Sequence, residues 1–361
     1  MSKLNRFLTG LKVLDLTQYL PGPMAGLILA DMGAEVIKIE PPAGDEMRRL
    51  GPRDAQGNPV FFAAINAGKS TRRMDLKDAS IREQFVSLVR DADVLIEGFR
   101  PGVMRRLGIG WETLREINPK LVYCSMSGYG QEGPLASIAG HDGNYLAMAG
   151  VLARNGDTAP VFFDPPVADT SGALFAVIAI LGALQARRAG GGGCHIDLAL
   201  ADIAMPLQLF QVADFGANGT VPGRRETYLN GGTAYYQIYR TADGRHVMLG
   251  AVEPKFWATF CGAAGRMEWI ARHDEGVPQH DLIRELGSFF ATLTFDQCLK
   301  RFAGPDCMLS PVLELDEALQ TDHVRARGLV RRTANGDLQA LFPAQVDGES
   351  PAGRPPLRPA G

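Results

Sequence analysis

Over its first 125 residues the chain switches repeatedly between two hydrophobic periods. Lys12–Leu16 (KVLDL), Glu35–Ile39 (EVIKI), Val94–Ile96 and Leu121–Ser125 (LVYCS) are short apolar or β-branched runs, and they read as strands. Between them, Met24–Met32 (MAGLILADM) reads as a helix, with Gly33 where a helix end favours glycine. Ser80–Asp91 repeats Ile81, Phe85, Leu88 and Val89 at helical spacing. Strands that alternate with helices of about ten residues predict parallel βαβ units, and so an α/β sheet covered on both faces.

The longest apolar run is Gly172–Ala186, which is short of the ~20 residues needed to span a bilayer and is expected to be a buried helix. The glycine tract Gly190–Gly193 joins it to a strand at Cys194–Leu198. No strand precedes the tract and no Lys-Ser/Thr follows it, so it reads as a turn rather than a phosphate cradle. No G-x-G-x-x-G follows the first strand either. Asp202–Gly223 is expected to be a helix that leads away from the first domain. Tyr235–Tyr239 and His246–Leu249 flank Ala242-Asp243-Gly244-Arg245, a hairpin signal. Helices are expected at Pro254–Cys261, Asp281–Ala291, Phe295–Phe302 and Glu314–Gln320, and an extended tail beyond Gly348. The domains implied are residues 1–200 with 331–361, a linker at 201–224, and a smaller α+β unit at 225–330.

Composition narrows the function classes. A formal charge of −3 in 361 residues offers no general attraction to nucleic acid or anionic lipid. An apolar content of 46% is ample for a core and argues against disorder. The five cysteines are odd in number and contain no C-x-x-C, which fits reduced thiols and a cytoplasmic location better than disulfides. Cys194-His195 are adjacent on a strand and point to opposite faces, so they do not suggest a metal site. The N-terminal residues lack a signal-peptide apolar region.

Three residues stand in contexts suited to chemistry. His141 lies in Gly140-His141-Asp142-Gly143-Asn144-Tyr145, at the start of a helical run Leu146–Leu152, where positive potential favours anions. The alternative is a cap by Asp142, with His141 a bystander. Asp169 precedes the apolar helix, behind Pro165-Pro166, and reads either as an N-cap or as a desolvated acid–base group. Glu253, in Gly250-Ala251-Val252-Glu253-Pro254, reads as a cap or dipole partner of the following helix, or as a functional carboxylate. Lys38, Arg48, Arg49, Lys69, Arg72, Arg73, Lys77 and Arg100 form either a solvated face or a site for a multiply anionic small molecule.

The order of these pieces resembles the family III coenzyme A-transferase superfamily, also called CaiB/BaiF, which includes alpha-methylacyl-CoA racemases. The resemblance is carried by Leu11–Leu16, Gly33–Glu40, Met74–Lys77, Asp93–Val103 and the helix after Asp169. Family transferases use an aspartate nucleophile at the position of Asp169 and typically have Tyr-Asp where this chain has His141-Asp142. The racemases have Gly-His-Asp followed by Asn-Tyr, and a motif like Gly250–Trp257 (GAVEPKFW); the racemase branch is therefore favoured. Thr233-Ala234-Tyr235-Tyr236 before Asp243-Gly244 points the same way. Where the racemases have Arg, position 38 is Lys, which would turn a bidentate contact into a point charge.

The resemblance implies an interlocked homodimer. Each subunit would have a Rossmann-like large domain, rejoined by the C-terminal segment, and a small domain. Active sites would lie between the large domain of one subunit and the small domain of the other, with Glu253 directed toward the partner's His141. It implies inversion of a 2-methylacyl-CoA at its α-carbon, with His141 and Asp169 on opposite faces of an enolate. Coenzyme A belongs to the substrate, and no separate cofactor or metal is expected. Its adenosine diphosphate end would meet Lys38, Asp75, Leu76, Lys77, Gly98, Phe99 and Arg100. Gly140, Asp142, Asn144 and Tyr145 would surround the thioester. The alternatives are a CoA-transferase working through an anhydride and thioester on Asp169, and a non-catalytic acyl-CoA-binding protein.

Overall fold

The computed structural model describes residues 2–333 and 336–359; the other five include the last two of the expected C-terminal segment. The chain divides into two compact units. The larger takes Met1–Ala149, Phe163–Leu207 and Leu319–Gly361, and the smaller Gly150–Phe162 and Gln208–Ala318. The expected linker is thus divided at residue 207, and a separate stretch, 150–162, joins the small unit.

The large unit opens with β1 (Lys12–Leu16), α1 (Pro21–Asp31), β2 (Glu35–Glu40), α2 (Val60–Asn66) and β3 (Ser70–Arg73). It continues with α3 (Ala79–Arg90), β4 (Val94–Glu97), α4 (Val103–Arg106), α5 (Trp111–Ile117) and β5 (Val122–Ser127). Then come α6 (Asp142–Met148), α7 (Val167–Arg188) and β6 (Cys194–Ala199). The small unit holds α8 (Leu209–Asn218), β7 (Tyr236–Arg240), β8 (His246–Gly250), α9 (Pro254–Ala264), α10 (His280–Phe290), α11 (Phe295–Phe302) and β9 (Leu309–Pro311). After α12 (Leu315–Leu319) the chain returns through α13 (Asp322–Arg327), β10 (Val330–Arg332), β11 (Leu338–Ala340) and β12 (Arg358–Pro359).

Every strand pair in the main sheet is parallel, in the order β12-β3-β2-β1-β4-β5-β6. Progression reverses between β1 and β4. In such sheets ligands bind outside the carboxyl ends of the strands beside that reversal. β4 and β5 are buried at every position, as central strands of a two-sided sheet must be. β3, with the sequence Ser-Thr-Arg-Arg, carries no apolar signal and was not expected. It pairs with β2 on one side and only the two-residue β12 on the other, so it needs no apolar alternation.

The apolar helix is longer than the run that announced it. α7 has 22 residues and by length and composition could cross a membrane. Instead its small residues Ala168, Gly172, Ala173 and Ala176 are buried, and the helix packs on α1, α6, β5 and β6. Leu174 and Ile178 on its other side are exposed. At its end Gly193 passes the β5 edge so closely that an added Cβ would lie 2.1 Å from the Leu121 oxygen. The tract is therefore a turn whose glycine is needed for close approach. The expected extended tail is tied down by the bidentate Arg354–Asp31 pair, at 2.7 Å for both bonds.

In the small unit β7 and β8 form the expected hairpin, closed by a bond from the Thr241 N–H to the Arg245 oxygen, with β9 added to β8. Its core is aromatic: Trp257, Phe260, Trp269 and Phe290 are almost fully buried around Leu249, Leu282 and Cys298.

Candidate active site

His141 and Asp169 are brought together by two helix beginnings. His141 is the extended N-cap residue of α6. Its N–H donates to Asn144 Oδ1 at 3.0 Å, and its carbonyl accepts from the Asn144 N–H at 2.8 Å. Asn144, expected beside the thioester, thus fixes the backbone of His141. α6 starts four residues earlier than the apolar pattern indicated, because this polar reciprocal pair, not hydrophobic spacing, opens it. The imidazole is exposed, with the Tyr19 ring edge-on to it at a centroid distance of 6.4 Å.

Asp169 is not an N-cap. Pro166 occupies that place, and Asp169 stands inside the first turn of α7 without capping it. The α7 amide of Asp169 donates instead to Asp142 Oδ1 at 3.1 Å. Asp142 therefore serves the neighbouring helix rather than its own, and its charge is set beside the Asp169 carboxyl. Burial and then the Asp142 charge push the Asp169 pKa up to about 6, with the nearby His141 opposing them. Tyr145, expected around the thioester, is buried; its hydroxyl donates to the Gly140 carbonyl and holds the loop before His141. Burial raises its pKa to about 12, so it remains a donor.

Lys38 does not offer its charge to a phosphate. It is fully buried, donates to the Thr17 carbonyl at 2.7 Å and pairs with Asp45 Oδ2 at 2.9 Å. Beside it, buried Lys69 pairs with Asp15 Oδ2 at 2.8 Å and also donates to the Pro23 carbonyl and Asn66 Oδ1. Arg48 pairs with Glu40 at 2.7 Å. Of the basic group expected at the strand ends, these three neutralise buried carboxylates. The cluster also reaches toward the candidate site through the turn that carries Tyr19. Asp15 Oδ1 accepts from the Thr17 N–H at 3.0 Å, and Lys38 holds the Thr17 carbonyl. Two residues on, Tyr19 adopts φ 64°, a conformation that costs a residue with a Cβ about 1 kcal/mol or more. Neither this turn nor the buried pairs had a local signature in the sequence.

The remaining expected coenzyme contacts fall into two groups. Asp75, Lys77, Gly98 and Arg100 are exposed and Phe99 is half-buried, with Gly98–Arg100 directly after β4 at the sheet's reversal point. Leu76 is buried in the core between the sheet and α3, so only its backbone could meet a ligand. Beneath the loop, Glu97 accepts from the Phe99 N–H at 2.8 Å, and burial raises its pKa to about 6. Glu253, in the small unit, is the exposed N-cap residue of α9. Its side chain makes no capping bond and, among the described residues, has no hydrogen-bond or ion-pair partner. The capping explanation for this carboxylate is thereby removed.

Comparison with known proteins fits this geometry. The profile of CoA-transferase family III matches residues 8–360. The chain is 35% identical to the alpha-methylacyl-CoA racemase of Mus musculus, over 89% of this chain and 81% of that protein. It is 33% identical to the acetyl-CoA:oxalate CoA-transferase of Acetobacter aceti, over 96% and 91%. A solved CaiB/BaiF family protein from Brucella suis superposes with a TM-score of 0.84 at 29% identity, covering 97% of this chain and 96% of that one. The relatives include both racemases and transferases, and the chain belongs to the family III CoA-transferases, a family of acyl-CoA enzymes.

Proposed function

We propose that the protein inverts the α-carbon of a 2-methylacyl-CoA thioester by 1,1-proton transfer. One of His141 and Asp169 takes the α-proton, and the C–H electron pair passes into the thioester carbonyl to give an enolate. The other returns a proton from the opposite face. The observation that carries this reading is the Asp169 carboxyl, held near pKa 6 beside an exposed imidazole. A carboxyl tuned toward neutrality can both give and accept a proton at little cost, which a two-base inversion requires in each direction. The positive end of the 22-residue α7 dipole stabilises the negative charge that develops on the thioester oxygen. Binding energy from the coenzyme, gathered at Asp75, Lys77 and Gly98–Arg100, positions the reacting carbon.

The free carboxylate of Glu253 completes the scheme if the protein is an interlocked homodimer, with the partner subunit's Glu253 orienting His141. A transferase reading draws on relatives such as the acetyl-CoA:oxalate enzyme. In it Asp169 attacks the thioester and His141 is dispensable.

Incubation with 2-methylacyl-CoA in D₂O, with and without hydroxylamine, separates the two. Deuterium at the α-carbon with no adduct supports inversion. An Asp169 hydroxamate without exchange overturns it in favour of transfer.

A further inference from the structure

Glu253 has no side-chain partner, yet the main chain around it is tightly held. The Val252 N–H donates to the Gly250 carbonyl at 2.8 Å, and the Glu253 carbonyl accepts from the N–H groups of Phe256 and Trp257. The carbonyl of Val252 is met by a residue which the mechanism above leaves unused. His273 Nε2 lies 2.8 Å from the Val252 oxygen. A carbonyl only accepts, so Nε2 must carry the proton and donate. Nδ1 lies 2.8 Å from Asp274 Oδ1, also an acceptor, so the ring meets an acceptor at each nitrogen and donates from both. The His273 side chain is 11% exposed, so it is set in the unit rather than lying on its surface.

The ring is also fixed in its plane. It stacks on Tyr235 with centroids 4.4 Å apart and planes 18° apart. Tyr235 belongs to Thr233-Ala234-Tyr235-Tyr236, a motif to which the proposed chemistry gives no task. Gln279, almost fully buried, ties the two segments together. Its Nε2 donates to the His273 carbonyl at 2.9 Å, and its Oε1 accepts from the Ala234 N–H at 2.9 Å. A network satisfied in this way holds one geometry, because any rotation of the ring orphans buried groups.

We infer that His273 is the positioning residue of Glu253. Its Nε2–H, locked by the stack on Tyr235, fixes the Val252 peptide and so sets the direction in which the Glu253 carboxylate leaves the chain. This rests on the proton-transfer reading, in which Glu253 orients the catalytic imidazole.

The test is a double-mutant cycle on the full chain. It uses His273→Phe, which keeps a stacking ring but loses the donor, with Glu253→Gln, reading kcat and KM for α-hydrogen exchange. His273→Phe is expected to lower kcat about tenfold, the scale of one lost hydrogen bond, with KM unchanged. His273→Gln, which restores a donor, is expected to recover part of the loss. In the Glu253→Gln background, His273→Phe is expected to cost nothing more. A further loss there, or an unchanged kcat for His273→Phe alone, overturns the inference and leaves the proton-transfer reading standing. Full exchange by Glu253→Gln removes the role of Glu253 and the inference with it. Should His273→Phe fail to fold, nitrogen-15 NMR of the unaltered protein decides, because an unprotonated Nε2 at His273 also overturns the inference.

Discussion

Two groups of charges in the large unit are opposite in design. In the first, Asp15, Lys38, Asp45 and Lys69 are buried, and each charge has an opposite charge within 2.9 Å. Burial would raise the Asp15 pKa, but the ammonium groups of Lys69 and Lys38 outweigh it and hold the carboxyl well below the ordinary range. Lys69 is lowered by burial to about 8, with Asp15 opposing the fall. In the second, Asp169 is crowded by Asp142, a like charge, and has only an exposed imidazole to oppose burial. A compensated carboxylate such as Asp15 is fixed in its charged state and braces the fold. An under-compensated one can change state, and that capacity is the raw material of acid–base catalysis.

The largest effect expected from breaking this contrast is on rate. Asp169→Asn removes one proton carrier and should lower inversion of the α-carbon by about 10²–10⁴-fold. Its melting temperature should hold or rise, since a crowded, partly desolvated carboxyl is replaced by a neutral group. His141→Gln should cause a comparable loss of inversion. A His141→Gln protein that inverts at the original rate would remove the imidazole from the mechanism.

The converse experiment is Lys69→Met. It leaves Asp15 buried without its main partner and should cost about 3–5 kcal/mol of stability by denaturant titration. The same site is intolerant from the helix side, because a Cβ at Gly26 of α1 would stand 2.9 Å from Asp15 Oδ2. Enough folded protein should remain at low temperature to assay. If its kcat per folded molecule stays within a factor of a few while stability falls, the cluster is a brace. A rate loss with intact stability would contradict that.

A third prediction sharpens the distinction between inversion and transfer through pH. Two-base inversion needs one proton on the His141–Asp169 pair in either direction. kcat/KM should therefore follow a bell whose apparent pKa values belong to the pair. The bell should have the same shape for both α-carbon epimers, because the ratio of their kcat/KM values equals the equilibrium constant at every pH. With Asp169 near 6, one limb should fall within about one pH unit of that value. A nucleophilic Asp169 needs only to be ionised, so transfer predicts a single rise through pH 6 and then a plateau. That profile would count against inversion.

Legibility in the sequence followed the range of the interaction that decides each feature. β1 and α11 have the bounds their local pattern announces, because an apolar run and the Thr294 capping box are read within a few residues. β3 was invisible, since its partners rather than its own residues make it a strand. Asp169 stood out by type, but its register inside α7 shows only in the fold, and the bond its amide donates to Asp142 joins residues 27 apart. The burial of Lys38 was hidden for the same reason: Thr17 and Asp45 had to be brought to it by β1 and the segment after β2. Glu253 was legible as a motif, whereas His273 depends on a turn, a stack and Gln279 that only the folded small unit assembles.

The smallest effect tests whether an under-compensated charge outside the proton-transfer pair carries the same signature. Glu97 is 3% exposed, and burial raises its pKa from an ordinary 4.5 to about 6. The folded protein therefore holds this proton more tightly than the unfolded chain. The stabilisation is fully present below pH 4.5, declines as pH rises, and is lost once pH passes about 6. A gap of 1.5 units, from 4.5 to 6, corresponds to about 2 kcal/mol as an upper bound. Glu97→Gln keeps an acceptor for the Phe99 N–H without the charge. It should raise stability at pH 8 by about 1–2 kcal/mol and change little at pH 4.5. Thermal melts of the two proteins across this range provide the check. Equal displacement at both pH values would mean that packing, not ionisation, distinguishes them, and that the loop bearing Gly98–Arg100 rests on a carboxylate as fully compensated as Asp15.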